Sequence, residues 1–261
     1  MKRKAIPFSP EHFPEELRSF VSGFSLYDSS CSKEARVWML EGKERFFLKS
    51  SAAGALKTET DMTRYFHSKG LGAEVLYYLS GEQDWLLTRA AQGETCVEAR
   101  YLKDPQRLCD TTATLLRRLH ELSFAECPIQ NRTADYIATA DRNVHTVSDF
   151  HTTLPPFLDI PSQDAARRIV EENRHLLKAD TLIHGDYCLP NILLDRWHFS
   201  AFIDVGNGGV GDRHIDLFWG IWSLGYNLKT WNYTDRFLDA YGREAIEPDM
   251  LRIIAAFECF G

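Results

Sequence analysis

The sequence predicts an α+β chain in two lobes, a small β-rich one over residues 1–91 and a larger, mainly helical one over residues 92–261. Three observations carry this expectation. Short, strand-like apolar runs dominate the first third of the chain, and apolar residues at helical spacing dominate the rest. The pattern changes at Ala90-Ala91-Gln92-Gly93, a stretch of small residues that reads as a linker.

In the first lobe, Ala35–Leu40 and Arg45–Lys49 flank Glu41-Gly42-Lys43-Glu44, a hairpin signal with glycine in the turn. A helix is expected from about Ala55 to Ser68, with Leu56, Met62, Tyr65 and Phe66 on one face and Gly70 as its stop. Val75–Leu79 and Trp85–Thr88 read as strands separated by Ser80-Gly81-Glu82. In the second lobe, Pro105 opens a helix through Leu122 in which Leu108, Thr112, Leu115, Leu116 and Leu119 recur at helical spacing. The stretch from Cys127 to Pro161 contains Pro128, Pro155, Pro156 and Pro161 and is expected to be loop-rich. Gln163–Lys178 is expected to be helical, and helices over Asp216–Leu224, Tyr233–Tyr241 and Pro248–Phe257 finish the chain.

With 44% hydrophobic and 26% charged residues, the 261-residue chain has the composition of an ordinary soluble globular protein. A net charge of −7 argues against nucleic acid or an anionic membrane as partner and suits a small cationic one. The six cysteines are scattered without Cys-x-x-Cys or zinc spacing, so reduced thiols are expected. Met1-Lys2-Arg3-Lys4 resembles the start of a signal peptide, but Pro7, Pro10 and Glu11 interrupt the apolar run that should follow, so none is expected. The most apolar segment, Leu217–Leu224, is too short to span a bilayer. A cytoplasmic protein, monomeric or weakly dimeric, is the expectation.

The most informative residues are His184-Gly185-Asp186-Tyr187-Cys188-Leu189-Pro190-Asn191, followed by Ile203-Asp204-Val205-Gly206. An Asp, an Asn five residues later and a second Asp after the next apolar run form the set that phosphoryl transfer from a nucleotide requires. That chemistry needs one carboxylate to orient the attacking hydroxyl and accept its proton, and oxygen ligands to hold magnesium on the phosphates. Asp186 fits the first role, and Asn191 and Asp204 fit the second. Both motifs are flanked by strand-like residues, Thr181-Leu182-Ile183 and Phe199 to Ile203.

A nucleotide also needs a cation on its α/β-phosphates, held by a carboxylate. Lys49 ends the second hairpin strand, and Glu59 faces inward on the following helix with Met62 and Phe66, whereas Asp61 lies on another face. The loop Ser29-Ser30-Cys31-Ser32-Lys33-Glu34 lacks a Gly-x-Gly-x-x-Gly pattern; its small hydroxyl residues, Ser32 among them, and its backbone amides are the candidates to cover the phosphates. Phe47 is a candidate to stack on the base, or else a plain core aromatic.

The His184–Asn191 loop, the Ile203–Leu217 segment and Leu116-Arg117-Arg118-Leu119-His120 resemble the aminoglycoside phosphotransferases, above all the 3′-phosphotransferase branch. The Cys-Leu-Pro-Asn ending of the loop, the stretch Thr234 to Leu238 and the acidic-aromatic C-terminus share the likeness, which extends from about Ala35 to Phe260. The resemblance implies the bilobal protein-kinase-like fold, ATP (or GTP) with Mg2+ as donor, and an aminoglycoside hydroxyl, the 3′-OH, as acceptor. It implies Asp186 as catalytic base, Asn191 and Asp204 as metal ligands, and Lys49 and Glu59 as the phosphate-binding pair. Asp216 would brace the catalytic loop, and the backbone of Thr88–Ala91, including Arg89 and Ala91, would meet the adenine. His184 reads as a structural member of the loop and His120 as a core histidine. The acceptor contacts implied are Asp149, Asp159, Glu258 and Phe260.

The chain departs from the family pattern at two places. Relatives carry Arg after the metal-motif glycine, where this chain has Asn207, and relatives end in Asp-Glu-x-Phe, where this chain ends in Phe257-Glu258-Cys259-Phe260-Gly261. One acid of the pair is lost and Gly261 displaces the terminal carboxylate. Each lost carboxylate removes a contact worth roughly 1.5–3 kcal/mol to a polycation. The alternative is therefore the same chemistry on another small amino-alcohol or amino-sugar acceptor. A catalytically dead nucleotide-binding module would have lost Asp186, Asn191, Asp204 or Lys49, and all four are present. A eukaryote-like protein kinase is disfavoured by the missing Gly-rich loop and by the lack of an Ala-Pro-Glu segment.

Overall fold

A computed structural model describes residues 4–30, 33–145, 154–247 and 249–261. Ser32 and Asp149 lie outside the described residues. The chain forms two compact units, Met1–Gln92 and Gly93–Gly261.

The first unit is an antiparallel sheet of β1 (Lys4–Ile6), β2 (Ser25–Asp28), β3 (Ala35–Glu41), β4 (Arg45–Ala52), β5 (Val75–Ser80) and β6 (Gln83–Arg89), in the order β1-β2-β3-β4-β6-β5. Its helices are α1 (Glu15–Val21) and α2 (Lys57–Ser68). Alternation sorts the strand residues onto two faces. Trp38, Leu40, Phe46, Leu48, Trp85 and Leu87 form one face and are covered by Phe13 together with Leu17 and Val21 of α1. The intervening residues Phe47 and Lys49 point to the other face, where α2 lies. Asp84, fully buried on β6, accepts hydrogen bonds from Leu56 N (2.9 Å), Tyr78 Oη (3.0 Å) and Ser80 Oγ (2.6 Å), which places a carboxylate at the N-terminus of α2. Before Ala35, where the sequence pattern predicts no element, β1, α1 and β2 form. The signals were the acidic first turn Glu15-Glu16 after Pro14 and the i, i+4 pair Leu17/Val21.

The second unit contains β7 (Glu94–Thr95), α3 (Ala99–Leu102), α4 (Pro105–His120), α5 (Arg132–Asn143), α6 (Gln163–Asn173), β8 (Thr181–Ile183), β9 (Ile192–Asp195), β10 (His198–Phe202), β11 (Gly209–Gly211), α7 (Arg213–Leu228), α8 (Thr234–Tyr241) and α9 (Met250–Glu258). Its strands pair as β10-β9-β7 and β11-β8. Helix α7 is buried on most sides, as a helix with apolar residues around its circumference must be. Gly220 lets Phe237 and Tyr187 approach it, and a Cβ at Gly225 would stand 2.2 Å from the Trp231 ring. One core cluster joins α5, α6 and α9; a second joins α7 and α9 with Ile183 and Leu158.

Three expectations are corrected here. The segment expected to be loop-rich holds α5, because Asn131 caps it by accepting from Ala134 N at 3.0 Å and all four prolines lie outside residues 132–143. The helix expected over 163–178 stops at Asn173, whose amide turns back onto Ile169 O at 2.8 Å, and a short 3-10 turn follows. Helix α7 starts at Arg213 rather than Asp216, because buried Asp212 caps it through His214 N at 2.9 Å. The described cysteines Cys96, Cys109, Cys127, Cys188 and Cys259 are free thiols. Among the described residues no helix is long and apolar enough to cross a membrane.

Candidate active site

The loop after β8 is tied down from inside the second unit. Asp216, fully buried on α7, accepts from His184 N at 2.7 Å through Oδ2 and from Gly185 N at 2.8 Å through Oδ1. His120 of α4 reaches the same Oδ2 through Nε2 at 3.1 Å, while its Nδ1 meets Tyr241 Oη at 2.8 Å. Burial lowers the His120 pKa against the pull of Asp216, so the ring is neutral, with Nε2–H donating to the carboxylate and Nδ1 accepting from the tyrosine. Asp216 is thus the brace and His120 a satisfied core histidine.

Gly185 is required by both conformation and space. Its φ is +81°, and a Cβ there would stand 1.9 Å from Asn207 O. That contact packs the 184–186 turn against the 204–207 turn. His184 joins the same two turns: Nε2 lies 3.0 Å from Ile203 O, and Nδ1 lies 3.3 Å from Asp186 N. A carbonyl can only accept and an amide N–H can only donate, so Nε2 carries the proton and Nδ1 accepts. Both ring nitrogens are occupied by the backbone, in agreement with a structural role.

Asp186 is partly exposed at the turn. Asn191 Nδ2 donates to Asp186 Oδ2 at 2.8 Å and to Asp186 O at 3.0 Å. Two acceptors on one side fix the amide nitrogen there, so the amide oxygen Oδ1 faces the other way. Leu189 N donates to Ser223 Oγ of α7 at 2.9 Å, which seats the rest of the loop. Asp204 is exposed and left-handed (φ 55°, ψ 45°), at the start of the short turn Val205–Asn207. Arg132, the first residue of α5, donates to Gly206 O at 3.2 Å and to Gly208 O at 3.0 Å, and so holds the segment after Asp204. Sequence reasoning missed Arg132 because it missed α5.

In the first unit, Lys49 Nζ meets both carboxylate oxygens of Glu59, at 2.9 and 2.7 Å. Asp61 instead pairs with Lys57 at 2.7 Å. Phe47 shares the Lys49 face and is partly exposed; Phe46 is the core aromatic. The Arg89 side chain is engaged by Glu44 and Glu74 at 2.6 and 2.9 Å, and its amide donates to Glu74 O at 2.9 Å. Ala90 N donates to Arg45 O at 2.9 Å, whereas Ala91 N–H has no protein partner among the described residues.

Of the acceptor contacts expected, Asp159 is exposed and left-handed (φ 45°) after the turn Pro156–Leu158. Glu258 ends α9 and accepts from Tyr136 Oη at 2.8 Å. Burial pushes its carboxyl up to about 7, against the opposing donors Tyr136 and Trp219, and the Asp186 charge pushes the same way as burial. Phe260 is a correction. Its ring is fully buried in the α5/α6/α9 core and its carbonyl accepts from Asn143 Nδ2 at 2.9 Å, so it closes the core rather than facing a ligand.

Residues 32–254 match the model of the phosphotransferase enzyme family. A "Probable aminoglycoside 3'-phosphotransferase" of Lactococcus lactis subsp. lactis (strain IL1403) is 42% identical over 259 residues, covering 99% of this chain and 98% of that protein. The chain belongs to the phosphotransferase enzyme family. This phosphotransferase is also 33% identical over 218 residues to the streptomycin 3''-kinase of Streptomyces griseus, covering 77% of each. The crystal structure of an aminoglycoside-3'-phosphotransferase of type VIII superposes with a TM-score of 0.75 at 26% identity, covering 94% of this chain and 97% of that one. A 23% identical structure, APH(3'')-Id from Streptomyces rimosus in complex with ADP and streptomycin, shares the fold with a TM-score of 0.65, covering 86% of this chain and 90% of that one. The α+β, kinase-like fold expected from the sequence is therefore the fold of the phosphotransferase.

Proposed function

We propose that the phosphotransferase moves the γ-phosphoryl group of ATP onto the 3′-hydroxyl of an aminoglycoside, which would inactivate the antibiotic. The observation that carries this reading is the Asp186–Asn191 pair on a loop braced by Asp216, in a chain 42% identical over its length to a probable aminoglycoside 3′-phosphotransferase. The first unit is read as the nucleotide-binding lobe. There the bidentate Lys49–Glu59 pair presents a positioned ammonium to the phosphates, Phe47 packs on the base, and Arg89 and Ala91 offer backbone groups to its edge.

In the second unit, Asp186 orients the acceptor hydroxyl and takes its proton as the oxygen attacks the γ-phosphorus. The bond to the β–γ bridging oxygen breaks, and its electron pair leaves with ADP. The Asn191–Asp186 hydrogen bond keeps the carboxylate turned and leaves the Asn191 amide oxygen for a cation. An amide oxygen and the exposed Asp204 carboxylate are hard donors that suit Mg2+. When bound, that ion neutralises charge on the β- and γ-phosphates. Glu258 is the acidic contact for an acceptor ammonium group.

The test is magnesium-dependent ADP release with kanamycin against its 3′-deoxy relative tobramycin, with Asp186→Ala as blank. Turnover of kanamycin alone supports the reading. Silence with both, with nucleotide binding intact, moves the acceptor to another amino-alcohol or amino-sugar.

A further inference from the structure

Helix α5 sets a phenol against the acid at the end of α9. Tyr136 Oη lies 2.8 Å from Glu258 Oε1 and only 3.4 Å from Ile254 O, so its single proton goes to the carboxylate. The Tyr136 ring stacks on Phe257 with centroids 5.4 Å apart, which fixes where the hydroxyl points. Trp219, on α7, also favours the charged form of the same carboxylate. Trp219 shares its helix with Asp216 and Ser223, the two side chains that seat the catalytic loop.

Glu258 forms no ion pair with Lys, Arg or His among the described residues. Its charged neighbour is Asp186, an anion, and the nearby Cys188 thiol is held neutral by burial and by both acids. Burial and the Glu258 charge keep Tyr136 protonated, so it remains a donor. A carboxylate sunk beside another acid, with a neutral phenol donor and no cation among the described residues, is costly for the folded chain alone. It is suited to a cationic ligand.

We infer that Tyr136 is a positioning residue for acceptor recognition: it holds the Glu258 carboxylate in one orientation to receive an ammonium group of the acceptor. This rests on Glu258 being the acceptor contact of the proposed function.

The experiment is steady-state kinetics of Tyr136→Phe, Glu258→Gln and the double variant with kanamycin and ATP across pH. The phenylalanine keeps the ring that stacks on Phe257, and thermal melting checks that the fold is intact. Should Tyr136→Phe fold poorly, Tyr136→Trp, which also lacks the hydroxyl and keeps an aromatic ring against Phe257, is read in the same way. Tyr136→Phe is expected to raise KM for kanamycin about tenfold while kcat and KM for ATP stay within about twofold. In the Glu258→Gln background the same change should have no further effect on KM. Loss of a donor to the charged form should also move the acidic limb of kcat/KM for kanamycin to higher pH, a shift that a purely structural tyrosine would not cause. An unchanged KM and pH profile, or full additivity with Glu258→Gln, would overturn the inference while the proposed function stood. No turnover of kanamycin by the parent enzyme would instead remove the proposed function, and this inference with it.

Discussion

Asn191 donates its side-chain amide to the Asp186 carboxylate at 2.8 Å. The bond joins the residue read as base to a residue read as metal ligand, so each orients the other. Removing either should disturb the other's role as well as its own.

Asp186→Ala is expected to lower kcat by about 10²–10⁴-fold while the nucleotide dissociation constant stays within about threefold. Single-turnover kinetics and nucleotide titration check it. A rate within tenfold of the parent would remove Asp186 as the base.

The brace has its own signature. Asp216→Ala leaves His184 N, Gly185 N and His120 Nε2 without their acceptor in the buried interior. The expected cost is roughly 3–5 kcal/mol of stability, read by urea unfolding, with a collapse of kcat at temperatures where the chain is still folded.

Gly185→Ala should be worse than an ordinary loop substitution, because a Cβ 1.9 Å from Asn207 O forces the two motif turns apart. Lost activity and a lowered melting temperature are the expected result. A near-native enzyme would mean that the turns do not pack as described.

Glu258 gives a pH dependence with a definite sign. Its carboxyl is raised from the ordinary range to about 7 by burial, so its contribution to stability is present below the ordinary carboxylate pKa and is lost as pH rises through about 7. Glu258→Gln should therefore raise the melting temperature of the ligand-free protein at pH ~8 and change it little at pH ~5. The opposite trend would place a cation beside Glu258.

Much of the site was legible in the sequence because its chemistry demands fixed residue types at fixed spacing. Lys49 and Glu59 follow from strand alternation and helix phase, and the structure joins them at 2.7 Å. Only the family resemblance implied Asp216 as a brace, and its acceptance of two successive backbone amides was not legible, since that depends on how α7 is packed. Helix α5 was lost because the flanking prolines outweighed a weak local signal. Asn131 as cap and Thr133, Tyr136, Ile137 and Ala140 at helical spacing were present in the sequence. Losing α5 hid both Arg132, which holds the turn after Asp204, and Tyr136, which holds Glu258. Phe260 was misread because a motif at the chain end says nothing about which way a ring turns; the α5/α6/α9 core decides that.

The central claim, transfer of a phosphoryl group to the 3′-hydroxyl of an aminoglycoside by the Asp186 loop, is tested most directly by identifying the product. Kanamycin incubated with the enzyme, ATP and magnesium should gain one phosphoryl group, with the phosphorus coupled to H3′ in a phosphorus–proton NMR correlation. Asp186→Ala should leave the antibiotic unmodified. A phosphorus coupled to any other sugar proton, or unmodified kanamycin in the presence of the active parent enzyme, would contradict it.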